Sequence, residues 1–113
     1  MTNKERINKL EGIEKKFVQI YINKEPYLRF AKEEKFHYEI LENILNEFEL
    51  SYKEFEGVIS KKGSNYELVS AGKAKLSEEE IILFGLSVDY EMRPNKKHLK
   101  ELLSQVDYKI KIR

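Results

Sequence analysis

A chain of 113 residues, 41% hydrophobic and 12% aromatic, holds one packed core and not two, and is too apolar for a disordered segment. Its 21 basic and 20 acidic side chains nearly cancel, so no overall field draws it onto nucleic acid or a membrane, and any anion site must be local. Cysteine is absent, which excludes disulfides, thiolate metal sites and cysteine nucleophiles and fits a reducing cytoplasm.

The opening stretch, MTNKERINKLEGIEKK, has no apolar run long enough for a signal peptide or a membrane span. Cytoplasmic location is the expectation. Ile7, Leu10 and Ile13 at loose helical spacing predict a short helix or mobile arm over 2–14. Residues 17–22, FVQIYI, are β-branched and aromatic and predict a strand. Val18, Ile20 and Ile22 share one face of it, Phe17, Gln19 and Tyr21 the other. A turn at Asn23 to Pro26 leads to a returning strand at 27–31, where Arg29 shares a face with Tyr27 and Ala31. Phe36, Ile40, Leu41, Ile44, Leu45 and Phe48 then recur at helical spacing and predict a helix over 35–49.

From Ser51 to Glu54 the spacing is that of a capping box, which predicts a short helix carrying Phe55, Val58 and Ile59. A strand bulged at Gly57 fits the same residues. KKGSN, 61–65, is a loop, 66–69 a strand, and SAGKAKL follows, whose Ser70, Ala71 and Gly72 allow close backbone approach. After a charged turn at 77–80, IILFGLSV (81–88) has the continuous apolar character of a central strand covered on both faces. Asn95 caps a second helix with Leu99, Leu102 and Leu103 inward, and 106–112 is a last strand. The fold class is α+β in one domain: a single mixed sheet of about five or six strands with two main helices packed on it.

His37 stands at the mouth of the first helix, on the edge of its apolar stripe. A helix N-terminus offers unpaired N–H groups and partial positive charge, which suits an anion and disfavours imidazolium. His37 is therefore expected to be neutral near pH 7 and able to act as base or nucleophile; a packed helix cap is the plain alternative. There is no glycine-rich phosphate loop, no paired metal-ligand spacing and no serine–histidine–acid pattern. His98, beside Lys96, Lys97 and Lys100, reads as a solvated surface residue. A winged-helix order exists in 35–76, but Glu54 and Glu56 stand on its would-be recognition helix, YKEFEGVIS, where phosphate contacts need cations.

Four segments, in order, resemble the Janus/Ocnus family: KKFVQIYI; Arg29 followed after a spacer by FHYEI; SAGKAKL; and FGLSVDY at 84–90. The resemblance runs over about residues 15–112. It implies an enzyme without cofactor or metal that hydrolyses phosphohistidine, either in a protein or as a small phosphoramidate. By the same resemblance His37 is the catalytic histidine and Tyr38 lends a backbone N–H to the phosphate. Arg29 and Lys16 (or Lys15 in its place) supply charge near the pocket, Lys73 stands where the family has arginine, Ser87 bonds the phosphate, and Asp89 contributes a backbone N–H. Lys73 loses the bidentate fork of an arginine. Asp89 replaces a small residue and Glu91 a glycine, adding two carboxylates at the rim, and about a dozen residues around 52–64 are inserted. These departures carry the alternative, a catalytically silent relative serving as a binding or regulatory module.

Overall fold

The computed structural model describes residues 6–8, 14–31, 36–77 and 80–113. In chain order these form β1 (Ile7–Asn8), β2 (Glu14–Ile22), β3 (Glu25–Ala31), α1 (His37–Glu47), β4 (Glu54–Phe55) and β5 (Val58–Ile59). β6 (Tyr66–Leu76), β7 (Ile81–Phe84), α2 (Lys96–Leu103) and β8 (Ile110–Ile112) complete them. The main sheet runs β1-β3-β2-β6-β7-β8. It is mixed: β2 is antiparallel to both neighbours, whereas the edge pairs β1–β3 and β7–β8 are parallel.

β2 and β3 meet through a two-residue turn at Asn23 and Lys24, both at positive φ (50° and 71°). That turn matches the right-handed twist of the strands it joins. It sets Ile22 opposite Glu25 and brings Pro26 into β3, one residue later than a turn proline. β6 crosses β2 with one irregularity, since Gln19 faces Ser70 while Ile20 faces Leu68. The extra residue, Val69, is a bulge.

Strand alternation divides the core between two faces, as the pattern in 17–31 predicts. Val18, Ile20, Ile22, Tyr27, Ala31, Leu68 and Ala71 pack against Ile40, Leu41, Ile44 and Leu45 of α1. Phe17, Leu28, Phe30, Ala74, Ile81 and Leu83 pack against Leu99 and Leu102 of α2. One sheet between two helices is the α+β architecture expected.

Local departures from the sequence expectation have identifiable causes. Ile7–Asn8 is an edge strand rather than helix, because the Leu28 N–H donates to the Arg6 carbonyl at 2.6 Å and Ile7 is buried. Leu10 and Ile13 lie outside the described residues. Residues 54–59 form a hairpin, with Glu56 and Gly57 (φ 52° and 83°) as its turn, so the helix over that stretch is excluded and Gly57 is no bulge. SAGKAKL continues β6 without a break. β7 stops at Phe84, where Gly85 turns the chain at φ 70°. It lies next to an edge, with Ile81 and Leu83 buried and Ile82 and Phe84 half-buried, so it is not a strand covered on both faces. β8 occupies only the end of 106–112. His98 is half-buried, its Nδ1 3.0 Å from the Tyr21 hydroxyl.

At Gly72 the backbone of β6 runs tightly against the end of β7. A Cβ there would lie 2.7 Å from the Phe84 carbonyl oxygen and 3.1 Å from the Phe17 ring. Backbone cannot yield as a side-chain tip can, so Gly72→Ala is expected to cost about 1–3 kcal/mol. Urea unfolding checks this: the midpoint should drop while the slope stays unchanged.

Candidate functional site

α1 begins in an unusual way for a helix that is otherwise well formed. Its N-cap residue is Phe36, extended at φ −82° and ψ 155°, with no side-chain oxygen to offer the first turn. Glu39 turns back and accepts from the Phe36 N–H at 3.0 Å. Glu39 and Ile40 donate to the Phe36 carbonyl, which leaves the N–H groups of His37 and Tyr38 to find partners elsewhere.

His37, the first helical residue, turns down onto the sheet and is only 4% exposed. It is therefore more deeply set than a histidine on the edge of an apolar stripe. Its Nε2 lies 2.8 Å from the Gly72 carbonyl oxygen. A carbonyl only accepts, so Nε2 carries the proton and Nδ1 keeps the lone pair. Among the described residues Nδ1 makes no hydrogen bond. Burial lowers the His37 pKa, against the Gly72 hydrogen bond, which raises it. Lys16 and Lys73 lower it further and Asp89 raises it. The neutrality expected from the helix field is thus supplied mainly by desolvation.

Both lysines come from one register position. Lys16 on β2 faces Lys73 on β6, on the α1 side of the sheet. Lys15 pairs with Ala74 on the opposite side, which decides the choice between the two lysines. The Lys16 ammonium sits 5.5 Å over the Phe36 ring, and Phe36 stacks on Tyr38 at 5.4 Å between centroids. The Lys73 stem runs beside Gly85, where a Cβ would lie 3.6–3.7 Å from it.

The loop after β7 closes the site. Ser87 and Met92 exchange both backbone hydrogen bonds, at 2.8 and 3.3 Å. The buried Ser87 hydroxyl accepts from the Tyr90 N–H at 3.3 Å. Tyr90 is itself buried, and its hydroxyl donates to the Ile59 carbonyl at 2.7 Å. The hairpin β4–β5 therefore anchors this loop. Glu91 has φ 54°, a left-handed conformation that a glycine adopts without strain.

Between these anchors stands Asp89, whose Oδ2 accepts from the Tyr38 N–H at 3.4 Å. Its role differs from the expectation: Asp89 meets the helix mouth with a carboxylate, not a backbone N–H. The Tyr38 donor is taken by the protein's own anion.

Arg29 lies elsewhere. It is 5% exposed, its Nε and one terminal nitrogen hold Glu47 at 3.3 and 3.1 Å, and its other terminal nitrogen donates to the Leu28 carbonyl. Glu47 is ten residues beyond His37, about 15 Å along the helix. The structure thus gathers His37, Tyr38, Lys16, Lys73 and Asp89, with Ser87 bracing the loop, and sets Arg29 at the far end of α1. The Gly72 carbonyl and Tyr90 escaped the sequence reading; a backbone acceptor has no residue type to betray it. Among the described residues no group of histidine and carboxylate side chains could hold a metal ion, and no helix is long and apolar enough to cross a membrane. No family model matches the sequence, and no curated protein matches it significantly.

The lowered pKa makes a stability prediction. Folded His37 binds protons less readily than the unfolded residue, whose pKa is about 6.5. Its favourable contribution is present above that value and is lost as the pH falls through it toward the lower folded value. The melting temperature of wild type should therefore fall more steeply between pH 7 and 5 than that of His37→Gln. Parallel curves would contradict the assignment.

Proposed function

We propose that the protein is a metal-independent cytoplasmic phosphatase that hydrolyses the P–N bond of phosphohistidine, with His37 as its base or nucleophile. The observation that carries this is the His37–Gly72 hydrogen bond. It holds a neutral imidazole at a helix mouth with Nδ1 unpaired, close enough to Lys16 and Lys73, paired across the two central strands β2 and β6, to feel both charges.

Phosphoryl transfer asks for positioning and charge stabilisation more than for covalent chemistry. Lys16 and Lys73 neutralise peripheral phosphoryl oxygens, and the positive end of α1, whose Tyr38 N–H is already bonded to Asp89, adds its field. Nδ1 takes a proton from water as its oxygen attacks phosphorus, the P–N bond breaks, and the leaving nitrogen takes up a proton. Equally, Nδ1 attacks phosphorus first as the substrate P–N bond breaks and the leaving nitrogen takes a proton from water, and a second water then cleaves the Nδ1–P bond to release phosphate. The resemblance to the Janus/Ocnus family supports this reading where it places His37, Tyr38, Lys16 and Lys73 together. The left-handed backbone at Glu91, where that family has glycine, supports it further. Arg29, bound to Glu47, takes no part.

A second reading, a silent relative that binds or regulates, is favoured by one observation: the Asp89 carboxylate sits on the Tyr38 N–H. The deciding assay offers a phosphohistidine peptide and phosphoramidate to the protein in the presence of a chelator. Wild type should hydrolyse at least one. His37→Gln, whose amide N–H still reaches toward the Gly72 carbonyl but which has no basic nitrogen, should keep the fold and lose at least about a hundredfold in rate. Wild type inert toward both substrates, or a variant of undiminished rate, removes the phosphatase reading.

A further inference from the structure

We infer that Asp89 is a specificity-determining residue, whose carboxylate makes the site prefer a phosphoryl group carried beside a cation over a bare phosphate anion. This rests on the anion site proposed above and names the chemical class it takes.

Phe36 cannot cap α1, and the Tyr38 N–H is satisfied by Asp89 Oδ2 instead. The carboxylate is not a drifting surface charge. One residue on, Tyr90 is tied through its hydroxyl to Ile59 and through its N–H to Ser87, and Ser87 is clamped to Met92. Asp89 is half-buried on that braced loop and acts electrostatically on His37, as do Lys16 and Lys73. Beside the helix mouth the site thus combines two ammonium groups and one carboxylate around a buried imidazole whose Nδ1 is unpaired.

Such a set discriminates by charge pattern. A phosphate entering alone gains Lys16 and Lys73 but meets Asp89 as a like charge at the donor it would use. A phosphoryl group with an ammonium or imidazolium a few ångströms away leaves Asp89 a partner of its own. Specificity then comes from the repulsive element as much as from the attractive ones. Inorganic phosphate, the product, lacks the second charge and is released more readily than substrate.

Ethyl phosphate and phosphoethanolamine test this, because they carry the same phosphate monoester and differ by one ammonium group. Each is titrated into the full chain while the Tyr38 amide signal is followed. Wild type should bind phosphoethanolamine about five- to tenfold more tightly, the scale of one partly screened charge contact. Asp89→Asn keeps an oxygen acceptor for the Tyr38 N–H but no charge. In it the preference should vanish and ethyl phosphate should bind more tightly than to wild type. Asp89→Ser, which also retains a capping oxygen, should behave likewise. Equal binding of the two probes by wild type, a preference that survives in both variants, or no binding of either probe overturns the inference. Phosphohistidine hydrolysis measured on the same samples keeps the two ideas apart. A preference without hydrolysis removes the phosphatase and leaves the Asp89 assignment; hydrolysis without a preference does the reverse.

Discussion

The hydrogen bond from His37 Nε2–H to the Gly72 carbonyl joins residues 35 apart in the chain and brings the mouth of α1 down onto β6. Several features meet in it. It sets the tautomer, since a carbonyl cannot donate. It places the imidazole where burial lowers its pKa. It also uses a strand position that must be glycine, because the Phe84 carbonyl leaves no room for a Cβ. A buried carbonyl left without its donor would cost stability of its own, so the bond ties site geometry to the fold.

The rest of α1 is held by different means. At its far end the buried Arg29 grips Glu47 with two hydrogen bonds and spends a third on the Leu28 carbonyl. A planar guanidinium suits that task, and a lysine would not replace it. Between these ends Ile40, Leu41, Ile44 and Leu45 fill the space over the sheet. The hairpin β4–β5 supports the site from a third side: Ile59 is buried in the same core, and its carbonyl receives Tyr90 from the loop that presents Asp89. A short hairpin that looks peripheral in sequence thus braces a charged group beside the helix mouth.

How much of this was legible in the sequence depends on whether side chains or backbone decide. The faces of β2 and β3 follow from period-two alternation, and α1 from the helical stripe, because burial of side chains dictates both. The 54–59 hairpin escaped because Glu56 adopts a left-handed conformation that its residue type does not announce, while the Ser51–Glu54 spacing imitates a helix start. β7 was read too long because LSV, after Gly85, is as apolar as a strand although the glycine has already turned the chain. In the site, the meeting of Lys16 with Lys73 is a register that only the β2–β6 pairing reveals. Arg29 shares the correct face, yet a face does not say which end of the helix a long side chain seeks. Asp89 was placed in the right neighbourhood with the opposite hydrogen-bonding role.

The state of the His37 ring tests the central claim most directly. Nitrogen-15 NMR of the two imidazoles, followed as a function of pH, reports which nitrogen bears the proton and when the ring becomes charged. The account predicts that at pH 7 His37 is neutral, with hydrogen on Nε2 and a free lone pair on Nδ1, and that it takes up a second proton only below the ordinary histidine pKa of about 6.5. A ring protonated on Nδ1, or already imidazolium at pH 7, would contradict it.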